Sequence, residues 1–330
     1  MTKILRSLVS VGAAAVFALA MTACGSDSGK SDNAADGTLT IGFVPGIASD
    51  PFFKAMQVGA EAKAKELGVN LIWQGAADEY SPQSQLPFVE AMLTQRVNGL
   101  ILVPTDPNAL QPSVTKAAGL NIPVITVDTS VSDDAQLTSF ITGDSLDGGR
   151  QAAKTLAEQI GDSGEVFILS GSPTATTNQL REKGFKDEMA ENHPNITVVG
   201  TEYANSQAAK ATSALNTTLL KYPDLKGVFA ADGTSGTGAV ASMRNSGKAG
   251  EIKLIGYDAY ENQIADLKSG VYTALVAQQP GAEAATALEF MVDKIRGTNL
   301  DKIQKQVVLP NVVITTDNLV EMEKYVYPAS

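Results

Sequence analysis

Val124-Ile-Thr-Val-Asp128 is a short apolar run that stops on an aspartate, and three other runs in the chain stop in the same way. They are Phe140-Ile-Thr-Gly-Asp144, Val228-Phe-Ala-Ala-Asp232 and Leu254-Ile-Gly-Tyr-Asp258. Short apolar runs that alternate with helical patterns read as buried strands of a parallel sheet. In open α/β sheets the carboxyl ends of such strands face the crevice where ligands bind. The repeated pattern therefore gathers carboxylates at one cleft. Carboxylates accept hydrogen bonds and repel anions, so a neutral ligand rich in hydroxyl groups is their natural partner. Each aspartate alone also suits the cap of the helix that follows. Four together favour a binding site.

Outward from these runs, the whole chain reads as strand–helix units. Thr38-Leu-Thr-Ile-Gly-Phe-Val44 is the first strand. Asp50 then caps a helix with Pro51 at its first position, and Phe53, Met56, Ala60, Ala64 and Leu67 share one face. Strands at 70–74 and 99–104 follow, with helices over 81–96 and 108–119. The second half repeats the scheme, with strands at 165–170, 196–200, 227–232, 252–258 and 272–278 and a long helix over 280–296. Val307 to Ile314 closes the chain as a last strand. Two consecutive runs of βα units imply two doubly wound parallel-sheet lobes with a cleft between them.

The ends carry a different message. Lys3 and Arg6 precede an apolar stretch from Leu8 to Ala20, and Met21-Thr-Ala-Cys24 supplies small residues before the only cysteine. That layout reads as an export signal over residues 1–23, too short for a membrane span. Residues 24–37 hold no large apolar side chain and read as a flexible tether. About 290 residues remain, enough for two lobes of ordinary size. The net charge of −11 becomes −13 once Lys3 and Arg6 leave, which disfavours nucleic acid as a partner.

Ala48-Ser-Asp-Pro-Phe-Phe-Lys54, Leu102-Val-Pro-Thr-Asp106, Asn121-Ile-Pro-Val-Ile-Thr-Val-Asp128, Arg181-Glu-Lys-Gly-Phe185 and Ile255-Gly-Tyr-Asp258 resemble, in this order, the ribose-binding branch of the type I periplasmic binding proteins. The placement of Cys24 similarly resembles the lipobox of bacterial lipoproteins, with Met21 in place of the usual Leu, Val or Ile. The resemblance implies two lobes joined by three crossover strands, a first lobe of 38–143 plus 279–307 and a second of 144–278 plus 308–330. It also implies a solute-binding component of an ABC sugar importer, lipid-anchored at Cys24 on the extracytoplasmic face of the cell membrane, monomeric and needing no cofactor.

Carried over position by position, the resemblance makes Asp50, Phe52, Phe53, Asp128, Thr129, Arg181, Asp232, Tyr257, Asp258 and Gln278 the ligand-binding set. Phe52 and Phe53 match an aromatic pair that sandwiches the sugar, and ring faces suit the apolar C–H edges of such a ligand. Phe53 also fits the core face of its helix, whereas Phe52 is out of phase with it. Arg181 matches a ligand-binding arginine, and its forked donors suit hydroxyl groups among carboxylates. Departures are Thr129 for an arginine, Val103 for an asparagine and Gly143 for a serine. Loss of these polar contacts points away from ribose itself and towards a pentose-sized or smaller sugar or sugar alcohol. Ser206 aligns only loosely, and Asp144 reads mainly as a cap.

Rival readings are a carbohydrate-active enzyme that uses paired cleft carboxylates and a ligand sensor uncoupled from transport. Against an enzyme, the one histidine, His193, sits in a polar loop beside Pro194, and no Cys/His pair, Ser–His–Asp triad or zinc-ligand spacing is present. Gly233-Thr-Ser-Gly-Thr-Gly238 mimics a phosphate loop, but it lacks the Lys-Ser/Thr ending and follows Asp232, so a helix-start turn is the better reading.

Overall fold

The structure is a computed structural model that describes residues 37–328. The signal reading of 1–23, Cys24 and the tether up to Asp36 lie outside the described residues. Two six-stranded sheets form the body. The first has the order β2-β1-β3-β4-β5-β11 and is built from β1 (Thr40–Val44), β2 (Asn70–Trp73), β3 (Gly99–Leu102), β4 (Val124–Val127), β5 (Ser139–Gly143) and β11 (Gln306–Leu309). All its pairings are parallel. The second has the equivalent order β7-β6-β8-β9-β10-β12, from β6 (Gly164–Ser170), β7 (Ile196–Tyr203), β8 (Leu225–Ala230), β9 (Lys253–Tyr257), β10 (Ala274–Ala277) and β12 (Val312–Ile314). Only β12 is antiparallel to its neighbour there.

The central strands β3, β4 and β10 are buried along their whole length. That is the reason they read as unbroken apolar runs rather than as alternating ones. In each sheet the strand order reverses beside the first strand, and ligands of open α/β sheets bind outside the strand ends at such a switch point. Gln85 ties the first switch point together. Its buried amide donates to the carbonyls of Pro45 and Val103 and accepts from the backbone and hydroxyl of Thr105.

The helices begin where local chemistry satisfies their free N–H groups. Helix α1 (Pro51–Leu67) starts at Asp50, whose carboxylate accepts from the Phe52 backbone, and ends at Gly68 with φ +64°. Helix α2 (Pro82–Thr94) is capped by Ser81, α4 (Ser145–Ile160) by Asp144, and α7 (Gly233–Asn245) by Asp232. Gly233 to Gly238 is thus the opening of α7, a helix start. Helix α3 (Gln111–Gly119) begins three residues later than the sequence pattern implies, because Asp106 first holds the Asn108 and Ala109 backbones in a separate turn. The remaining helices are α5 (Thr176–Asn192), α6 (Ala208–Lys221), α8 (Glu261–Lys268) and α9 (Pro280–Arg296).

One element differs in kind from its expectation. The closing strand is two strands, β11 in the first sheet and β12 in the second, so the crossing falls at Pro310–Asn311 and not after Val307. Leu309 still belongs to the first sheet, since its carbonyl accepts from the Asp144 backbone. Proline has no N–H to offer a ladder, and pairing stops there. The chain also crosses after Gly143 and after Ala277. The three crossings are bonded to one another: Asn311 donates to the Asp144 carbonyl and Gln279 to the Pro310 carbonyl.

Helices α4 and α5 touch backbone to backbone. A Cβ added to Gly184 would lie 2.0 Å from the Leu146 carbonyl oxygen, and one on Gly149 would lie 2.1 Å from that of Arg181. Gly184→Ala is therefore expected to destabilise the protein by about 1–3 kcal/mol through overpacking. Urea unfolding measures this, and a wild-type midpoint would contradict the close contact.

Candidate functional site

Two aspartates at matching places in the two sheets define the site. Asp128 follows β4 and donates its backbone N–H to Ile141; Asp258 follows β9 and donates its own to Val276. Both have left-handed backbones, φ +62° and +74°, which aspartate tolerates better than most residues. This bend turns each carboxylate off the end of its strand and into the space between the sheets. Asp50 and Asp232 reach the same space from the starts of α1 and α7.

The space is a cavity of about 60 Å³. Ile47, Phe52 and Phe53 form an apolar wall, and Asp50, Asp128, Arg181, Asp232, Asp258 and Gln278 supply charge and polarity. Tyr80, Thr177, Asn178, Ser206, Gly233, Thr234 and Tyr260 complete the lining. The rings of Phe52 and Phe53 meet edge to face with centroids 5.2 Å apart. Asp50 closes the cavity across the cleft, accepting from the Tyr260 hydroxyl at 3.0 Å and from the Thr234 hydroxyl at 3.3 Å.

Arg181 is buried at the bottom. Its guanidinium lies 3.8 Å over the Tyr257 ring and donates to the Ala231 carbonyl at 3.0 Å and to Gln278 Oε1 at 2.8 Å. The amide nitrogen of Gln278 donates to Asp258 at 2.8 Å. Three buried atoms of the lining have no partner in the protein: Asp128 Oδ1, Arg181 Nε and Asn178 Nδ2. One accepts and two donate. A hydroxyl group does both, so hydroxyls on a guest complete what the protein leaves open.

The carboxylates are electrostatically crowded. Burial pushes the Asp50 carboxyl up to about 6, with Asp258 and Asp232 adding to the rise. Asp128 is pushed up to about 7, by burial first, with Arg181 pulling the other way. Burial also raises Asp232, against the bonds it accepts from Ser235. Burial pulls the Arg181 guanidinium down, but Tyr257, Asp128, Asp258 and Asp232 more than offset it and hold it above its ordinary value.

Eight of the ten residues taken from the sequence line the cavity, and two do not. Tyr257 has no exposed surface, because Arg181 covers its ring and its hydroxyl accepts from Asn311 at 2.7 Å. It supports the arginine from below and offers no face to a ligand. Thr129 is turned away, donating to the Pro104 carbonyl at 2.6 Å. Phe53 joins Phe52 in the wall although it also fits the core stripe of α1. Asp50 and Asp232 are both caps and cavity residues, so the two readings of each hold together. His193 ends α5 and bonds to Asp162 at 2.6 Å, away from the cavity.

Sequence reasoning missed Ile47, Tyr80, Thr177, Asn178, Thr234 and Tyr260. Asn178 was within reach, because it stands one helical turn before Arg181 on the same face of α5. Tyr80 lies in an irregular segment with no periodic signal.

Residues 41–299 match the family described as periplasmic binding protein domain. The chain belongs to the periplasmic binding protein family. Its two-sheet architecture is that of the type I members. This periplasmic binding protein is 30% identical over 272 residues to the ribose import binding protein of Bacillus subtilis, covering 82% of this chain and 86% of that one. It is 26% identical to the xylitol-binding protein of Mycolicibacterium smegmatis, over 94% and 86% of the two chains. A solute-binding protein of an ABC transporter from Agrobacterium vitis, solved with alpha-D-tagatopyranose bound, superposes with a TM-score of 0.85 at 33% identity. The superposition covers 88% of this chain and all of that one. The family and these relatives place the chain among extracytoplasmic solute-binding proteins and not among enzymes.

The raised Asp128 carboxyl has a consequence for stability. A folded-state pKa above the unfolded value means the folded protein keeps a proton that the unfolded chain has lost. Its contribution is complete below the ordinary carboxylate range, near 3.8, and is lost as the pH rises through about 7. Asp128→Asn removes that loss. Melting temperatures between pH 5 and 8 should therefore fall less in Asp128→Asn than in wild type, and parallel curves would contradict the assignment.

Proposed function

We propose that this protein captures a small neutral sugar or sugar alcohol, pentose-sized or smaller, by closing two lobes around it, and hands it to the permease of an ABC importer. The observation that carries the reading is the trio of unpartnered atoms at the cavity, one acceptor and two donors, beside an apolar wall of Ile47, Phe52 and Phe53. Hydroxyls satisfy the first and C–H faces the second. Relatives named for ribose and xylitol, and a neighbour solved with a ketohexose, support the class.

Asp50, Phe52, Phe53, Asp128, Arg181, Asp232, Asp258 and Gln278 form the proposed binding set, extended by Asn178, Tyr80 and Tyr260. Contacts to both lobes favour the closed arrangement, which the permease can recognise. The proposed lobes are 38–143 with 279–309 and 144–278 with 312–328, hinged at the three crossings. We further propose a monomer, exported by residues 1–23 and lipid-anchored through Cys24 by way of the tether. No helix among the described residues is long and apolar enough to cross a membrane.

A thermal-shift screen of the mature protein against monosaccharides, tetritols, pentitols, hexitols and amino acids tests the class, because a ligand well above its dissociation constant raises the melting temperature. A sugar or polyol is expected to stabilise, with micromolar affinity, on the order of −8 kcal/mol. Silence from every sugar and polyol would reject the reading. Asp128→Ala and Arg181→Ala should each weaken that ligand by about 1–3 kcal/mol in calorimetric titration, since a buried partner is left unsatisfied. Unchanged affinity in both would move the site elsewhere.

A further inference from the structure

Glu283 lies in the first turn of α9, close to the place where the chain crosses between sheets. It has no exposed surface, and neither carboxyl oxygen has a hydrogen-bond partner in the protein. Its surroundings make the problem sharper. A Cβ built on Gly143 would lie 3.0 Å from Asn311 Oδ1, 3.3 Å from Gln278 Oε1 and 3.6 Å from Glu283 Oε1. Three oxygens from three segments therefore gather beside one glycine.

None of the amides can turn to help. The Asn311 nitrogen already donates to the Asp144 carbonyl and to the Tyr257 hydroxyl, and Asn311 Oδ1 is itself without a partner. The Gln278 nitrogen is committed to Asp258, and its oxygen accepts from Arg181. If Glu283 were ionised, its buried charge would have no hydrogen-bond donor on either oxygen, since the nearby Arg181 is already bonded to Gln278 and Ala231. That arrangement is costly. A neutral carboxylic acid has one O–H to donate and removes the conflict.

We propose that Glu283 is a positioning residue of the ligand site, working as a neutral acid that donates its one proton to the otherwise unpartnered oxygen of Asn311. The inference rests on the proposed binding function. Gln278 holds both Arg181 and Asp258, and Asn311 holds the hydroxyl of the Tyr257 ring on which Arg181 rests. A donor to Asn311 fixes the ring beneath the arginine without touching the ligand, while Gln278 holds the guanidinium directly.

The charged and titratable groups acting on Glu283 come from several elements. Burial raises its carboxyl well above the usual range; Asp128 after β4 and Asp258 after β9 add to the rise, and Arg181 on α5 opposes it. Tyr327, in the C-terminal segment, also feels its charge. Burial among these groups favours the protonated form of Glu283, and loss of that proton at higher pH would loosen the site.

Two substitutions separate this role from mere packing. Glu283→Gln keeps a donor that cannot titrate, and Glu283→Leu keeps bulk without a donor. D-Ribose and xylitol serve as probes in calorimetric titrations from pH 6 to 9. For a probe that binds the wild type, Glu283→Gln should stay within about twofold of it at pH 6 and weaken less towards pH 9, whereas Glu283→Leu should bind about tenfold more weakly. In the ligand-free protein at pH 7, the infrared carbonyl band of a protonated carboxylic acid should be present in wild type and reduced in Glu283→Gln. Wild-type affinity in Glu283→Leu, or an unchanged infrared band in Glu283→Gln, would overturn the proposal. A wild type that binds neither probe leaves the ligand class to the thermal-shift screen, and the infrared band still decides the proton.

Discussion

The carboxylate of Asp258 is the contact on which the rest of the site depends. It accepts from the Gly233 backbone at 3.0 Å, Gln278 at 2.8 Å and Tyr327 at 3.0 Å, and lies 3.3 Å from the Tyr260 hydroxyl, whose one proton it shares with Asp50. Those donors come from the start of α7, the start of α8, the crossing after β10 and the C-terminal segment. One buried charge thereby joins four stretches of chain that are distant in sequence. Gly233 reaches one oxygen and Gln278 and Tyr327 the other, so this buried polar group is fully satisfied. Gly233 is glycine for the same reason, since a Cβ there would sit 2.3 Å from the Tyr260 hydroxyl.

From this hub the order passes to the arginine. Gln278 stands between Asp258 and Arg181, and Tyr257 carries the guanidinium on its ring. Arg181 is thus positioned by packing and neutral partners, with one nitrogen left for a guest. Asp128, at the matching strand end of the other sheet, keeps one oxygen free as an acceptor. A closed cleft therefore brings a donor from one lobe and an acceptor from the other to the same small volume. Among the unpartnered atoms of the lining the two donors come from α5 and the acceptor from the end of β4, which is why the proposed capture is linked to closure.

The strand ends were legible because buried parallel strands are apolar along their length, so the aspartates that end them stand out. Caps were legible too: Asp50-Pro51 and Asp232-Gly233 are local signals. Thr129 and Tyr257 show the limit of carrying a role over by position. Each stands next to a true cavity residue in sequence, but side chains of neighbours at a strand end point to opposite sides. Tyr80, Tyr260 and Tyr327 reach the site from segments without periodicity, and only tertiary packing brings them there. The split of the closing strand turned on Pro310, a single residue inside an apolar run. Glu283 was invisible for a different reason. An acid in the first turn of a helix is an ordinary sight, and only the fold reveals that this one is buried.

The most direct test of the account is small-angle X-ray scattering of the mature protein with and without the stabilising sugar or polyol. Ligand contacts from both lobes predict a smaller radius of gyration on saturation, with the change following the binding curve. A ligand that binds tightly and leaves the scattering profile unchanged would contradict a site shared between the lobes.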